Sequence, residues 1–131
     1  MSFEFLPDGA NAAQIIAIYL ESMGKMVRQM EECLHRLAAG DPGQELALVH
    51  RLSHTIKGSS LQLGFREIGQ LAEAMEGLAE RRLTAGRVSR EDQEVLKEAV
   101  KRLGEYLECL EHEMPLADPT NLCARMKVGM P

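Results

Sequence analysis

The chain has 131 residues, enough for one domain with a single core, and its abundance of Ala, Leu, Met and Glu beside no tryptophan, two tyrosines and three phenylalanines favours helix over sheet. A net charge of −5 and an isoelectric point near 5.4 argue against nucleic acid as a partner. Cys33, Cys109 and Cys123 form an odd set without metal-type spacing, which suits reduced thiols in a cytoplasm, and neither a secretory leader nor an apolar run near the ~18 residues of a membrane span is seen.

Residues 1–10 read as an irregular lead in which Pro7-Asp8-Gly9 makes a turn. From Asn11, a good N-cap, apolar residues recur at Ile16, Leu20, Met23, Val27, Met30, Leu34 and Leu37, in alternating steps of four and three. That is the seam of a bundle helix, closed by Ala38-Ala39-Gly40 and the tight connection Asp41-Pro42-Gly43. A second helix is expected from about Gln44 to Leu63, with the seam Val49, Ser53, Ile56, Ser60, Leu63, and Gly64 breaks it. The third carries Ile68, Leu71, Met75, Leu78 and then Arg82 or Leu83 inward, until Thr84-Ala85-Gly86. Ser89-Arg90-Glu91-Asp92 has the pattern of a capping box, so Ser89 should open a fourth helix. Its seam is Leu96, Ala99 or Val100, Leu103, Leu107 and Leu110, and Pro115 ends it. Most of the eight methionines fall on these seams as flexible core filler. Short links between long helices make neighbours antiparallel. The expected fold is therefore all-α: an up-down-up-down four-helix bundle over residues 11–114, followed by a tail or linker, 115–131, with at most one short turn.

The second helix carries an unusual trio, His54, Lys57 and Gly58. At 100° per residue, His54 points roughly 140° and Lys57 roughly 80° from the centre of the apolar seam. Gly58 shares that outward face, where it costs about 1 kcal/mol of helix stability relative to alanine. A bare backbone beside an exposed imidazole makes sense if something bulky must approach the ring. Folding the second and third helices back about Gly64-Phe65 puts position 54 level with 76 and position 57 level with 73; both are glutamates. A glutamate facing His54 can accept Nδ1–H and leave Nε2 as the nucleophile. A lysine one turn away supplies positive charge where a phosphoryl group would sit, and phosphoryl transfer is mainly positioning plus charge neutralisation.

Leu52-Ser53-His54-Thr55-Ile56-Lys57-Gly58-Ser59-Ser60, then Leu63-Gly64-Phe65, then Leu71-Ala72-Glu73-Ala74-Met75-Glu76-Gly77-Leu78, resembles a histidine-containing phosphotransfer (HPt) domain over roughly residues 10–113. It is most similar to the N-terminal phospho-accepting domain of chemotaxis-type histidine kinases, with Glu73 standing where that subgroup often has a second histidine. The resemblance implies that His54 is phosphorylated, that Lys57 compensates phosphoryl charge, and that Glu76 orients the imidazole. It implies response-regulator receiver domains and a histidine kinase as partners, with any Mg2+ on the partner and no cofactor on this chain.

His50 and His54 stand at i and i+4, a spacing that can hold a metal, but the carboxylate of the zincin pattern is missing between them and Lys57 disfavours a cation, so no metal is expected. His50, Leu61 and Glu73, all near His54, are candidates for partner docking. No G-x-x-x-x-G-K-S/T loop is present, so the expected role is a phosphoryl carrier in the cytoplasm rather than an enzyme that phosphorylates itself. Two other readings fit the sequence: the phospho-accepting domain of a larger kinase, and an inert helical adaptor that binds a receiver without chemistry.

Overall fold

The computed structural model describes residues 11–37 and 42–127, which form five helices and no strand. The expected lead (1–10), most of the first connection (38–41) and the last residues (128–131) lie outside the described residues.

Helix α1, Ala12–Leu37, starts on a reciprocal cap in which Asn11 Oδ1 accepts the Gln14 N–H at 2.8 Å and Gln14 Oε1 accepts the Asn11 N–H at 3.2 Å. Its seam holds from Met23 to Leu37, with Cys33 added. One turn earlier the inward residue is Tyr19, and Ile16 and Leu20 are only half-buried. Tyr19 is drawn in by partners on other segments: its hydroxyl meets Ser60 Oγ at 2.7 Å and its ring lies 5.0 Å from that of Phe65.

Helix α2, Pro42–Gln62, begins two residues before the sequence suggests, because a proline is well tolerated at the first helical position. Val49, Ser53, Ile56 and Ser60 are all buried in it, as is Leu63 just beyond. Gly64 then takes φ 83°, a left-handed value that suits glycine, and the chain turns straight into α3, Arg66–Ala85. The two helices approach closely where Gly69 faces Leu61: a Cβ at position 69 would fall 2.4 Å from Leu61 Cδ2.

Helix α3 closes on Gly86, whose N–H reaches Arg82 O. Helix α4, Arg90–Glu111, opens on the expected capping box: Ser89 Oγ accepts Asp92 N–H at 3.0 Å, and Asp92 Oδ2 accepts Ser89 N–H at 2.9 Å. Asp92 also binds Arg82, with Nε at 2.7 Å, so the inward residue at the end of α3 is Arg82, while Leu83 is half-buried. The pair is buried, and it joins the end of one helix to the start of the next.

Helices α1 to α4 pack in a ring, each against the next and α4 back on α1. The buried seams fill its centre, from Met30, Leu46 and Ile56 to Met75, Leu96 and Leu103. Residues 116–127 are not the expected tail: α5, Thr120–Lys127, docks on α3 and α4 and buries Leu122, Cys123 and Met126. Asp118 Oδ1 accepts from both the backbone and the hydroxyl of Thr120 at its start, and Tyr106 donates to Ala117 O, which ties the link to α4. With eight residues and one apolar cluster, α5 is too short to show a period.

Candidate functional site

His54, Lys57 and Glu76 come together on the outer face of the α2–α3 pair. The seam of α2 turns His54 out, and its side chain is 67% exposed. The hairpin about Gly64 brings Glu76 of α3 level with it, as the sequence register requires. His54 Nδ1 lies 2.6 Å from Glu76 Oε2, and Lys57 Nζ lies 2.6 Å from Glu76 Oε1, so one carboxylate serves both residues.

Glu76 is 13% exposed. That partial burial pushes its carboxyl pKa up, but the hydrogen bonds from Lys57 and then His54 outweigh it, and the group sits below the usual glutamate value. Its bond to Glu76 in turn raises Lys57. An ionised carboxylate has no proton to give, so in the 2.6 Å contact Nδ1–H is the donor. The lone pair of the neutral ring is then on Nε2, on a side chain that stands mostly in solvent.

The other residues singled out fall around this centre. A Cβ built at Gly58 would meet nothing within 4 Å, so no part of the described chain requires a glycine there. His50, half-buried, reaches Glu76 Oε2 at 3.9 Å. Leu61 is 49% exposed and lies across Gly69. Glu73 is exposed and does not hold Lys57, the partner its level suggested; Lys57 turns to the less exposed Glu76 instead. Glu73 lines a small cleft with Cys123 and Lys127 of α5. His35 and His112 are exposed and outside this cluster.

Sequence reasoning passed over Ile18. It is 65% exposed and lines an apolar groove of about 230 Å³ with Ile15, Ser59, Gln62 and Leu63, one to two turns along α2 from His54. An isoleucine midway between the seam positions Ile16 and Leu20, and so turned away from them, was the available signal.

The family model of the Hpt domain matches residues 14–106, which takes in α1, α2, α3 and most of α4 and holds the whole His54–Lys57–Glu76 cluster. The chain belongs to the Hpt domain family. No curated protein and no solved structure matches it. Hpt domains are helical phosphocarriers, not catalysts; they carry phosphohistidine in two-component phosphorelays and interact with receiver domains and histidine kinases. Among the described residues of this Hpt domain no helix is long and apolar enough to cross a membrane.

Proposed function

We propose that this Hpt domain carries the phosphoryl group on His54 Nε2, taking it from a phospho-aspartate of a receiver domain or from a histidine kinase and passing it to a receiver aspartate. The observation that carries this reading is the 2.6 Å bond from His54 Nδ1 to an ionised Glu76 on a ring that is otherwise exposed. In the transfer, Nε2 attacks phosphorus, the N–P bond forms, the P–O bond to the donor aspartate breaks, and its carboxylate leaves. The ring then bears positive charge, which Glu76 stabilises. Lys57 balances Glu76 before the reaction and phosphoryl oxygens after it, by a swing of its flexible stem.

Gly58 leaves room above the ring for the incoming domain. The apolar groove at Ile18, with Leu61 and Glu73 on the other flank, extends the docking face. Mg2+ belongs to the partner: a cation at Glu76 would meet the Lys57 ammonium. The free thiols of Cys33, Cys109 and Cys123 suit a cytoplasmic protein.

The test is incubation of the purified chain with a phosphorylated receiver domain. Acid-labile, base-stable phosphate should appear, and His54→Gln should abolish it. Phosphohistidine on the His54→Gln variant would overturn the assignment, and binding without labelling would favour an adaptor. The chain alone with Mg-ATP should take up no phosphate.

A further inference from the structure

Gly69 lies inside α3, where glycine weakens a helix relative to alanine. Its backbone does not call for glycine: its φ is not positive, and its N–H makes an ordinary helical bond to Phe65 O at 3.0 Å. What it provides is space. A Cβ at position 69 would fall 2.4 Å from Leu61 Cδ2, 2.7 Å from Cγ and 3.6 Å from Cδ1, so the end of the leucine lies directly on the bare backbone of α3. Gly69 is buried although Leu61, which covers it, is exposed. The pair stands on the same flank as the phosphoacceptor site. Leu61 follows His54 by seven residues and Gly69 precedes Glu76 by seven, so the two pairs are level across the hairpin and two turns apart. Leu61 is thus about 10 Å from His54 along α2, with Gly58 between them.

We propose that Gly69 is a positioning residue for receiver docking: it seats Leu61 flat across α3 and so keeps the approach to His54 open. The proposal rests on His54 as the phosphoryl acceptor and on a receiver domain as its donor. A receiver that brings its aspartate to Nε2 covers roughly 800 Å² of this chain, a patch about 30 Å across, so Leu61 lies beneath it. Seated on Gly69, Leu61 offers that domain a low apolar step beside the open backbone at Gly58. A Cβ at position 69 removes the seat. Leu63, Phe65 and Ile68 close the inner side with a packed core, so the displaced leucine turns toward solvent, where the receiver has to come. A small phosphodonor meets Nε2 alone and needs none of this space.

The experiment compares two phosphodonors on the full chain, as wild type, Gly69→Ala, Leu61→Ala and the double variant, with folding checked by melting curves. One donor is phosphoramidate. The other is the fastest of a panel of receiver domains phosphorylated on aspartate. Uptake is counted as the part that His54→Gln loses.

Gly69→Ala should take phosphate from phosphoramidate within about 2-fold of the wild-type rate, but from the receiver about 10-fold more slowly. In the double variant no leucine is left to displace, so receiver transfer should match that of Leu61→Ala. Four results would overturn the role of Gly69 and leave His54 as the acceptor: receiver transfer to Gly69→Ala at the wild-type rate, equal slowing with both donors, slowing that persists in the double variant, or loss of the fold in Gly69→Ala, which would mean that Leu61 has no outward path. Uptake by wild type from phosphoramidate but from no receiver would overturn receiver docking, and the role of Gly69 with it. No uptake from either donor would overturn the acceptor reading itself.

Discussion

Gly58 separates stability from function at the scale of one residue. Its missing Cβ would meet nothing within 4 Å, so alanine fits the folded chain and gains about 1 kcal/mol of helix propensity. Gly58→Ala should therefore raise the melting temperature and at the same time slow phosphoryl transfer, by crowding the partner that approaches His54. Equal or faster transfer would show that the space is incidental. The two glutamates divide in the same manner. Glu76→Ala releases the ring of His54 and leaves Lys57 without its partner, so transfer should slow by ~10-fold or more if the bond contributes about 1.4 kcal/mol to the transition state. Glu73→Ala should slow it less, since Glu73 touches neither His54 nor Lys57 by hydrogen bond; initial rates from one phosphodonor compare the two. Thiol reactivity should also differ by site. Burial and then the bond to Glu45 push Cys33 up to about 12, and burial raises Cys123, so alkylation at neutral pH should mark the half-buried Cys109 first, as mass spectrometry of partly labelled protein would show.

The elements are joined end to end by polar contacts that no seam predicts. Arg82 and Asp92 lie buried at the α3–α4 junction, and Asp92 also closes the capping box of α4. Removing one partner of such a pair leaves a charge in the interior. Arg82→Met should cost about 3 kcal/mol in urea unfolding, with secondary structure retained in dilute buffer. A loss below about 1 kcal/mol, the range of an exposed pair, would show that water reaches Asp92. Helix α5 is held by its three buried apolar residues and by Arg81, which donates to Met126 O at its C-terminal end. It covers part of α3 close to Glu73, so the C-terminal segment belongs to the folded unit.

For the molecule as a whole, the shifted groups frame the pH range of stability. Glu76 and Asp92 are depressed in the folded state, so their contribution is present above the ordinary carboxylate values, near 4, and is lost as pH falls through the folded ones. Tyr19, pushed up to about 12 by burial against the opposing bond to Ser60, and Cys33, also raised to about 12, bind protons more tightly when folded. Their contribution is present below the ordinary values of 10 and 9 and is lost as pH rises from there toward 12. The melting temperature should therefore fall as pH drops below about 4 and as it rises above about 9. A melting temperature that held steady across either limit would contradict this.

Much of this architecture was legible in local pattern. Steps of three and four along α1 to α4 state which face is buried, and Asn11, Ser89, Gly64 and Gly86 mark helix ends through hydrogen bonds and φ values that a few adjacent residues determine. Because the α2–α3 link is so short, counting outward from Phe65 also places His54 level with Glu76. Only the folded molecule decides what depends on reach and burial across helices. Lys57 can extend to either of two glutamates one turn apart, and it takes the one that the bundle partly shields from water. Tyr19 takes the inward place expected of Ile16 and Leu20 because Ser60 and Phe65, more than 40 positions away, complete its pocket. Arg82 is buried because Asp92 waits on the next helix. Helix α5 exists because α3 and α4 offer it a surface; three apolar residues in eight carry too little period to announce it and, without that surface, too little burial to hold it.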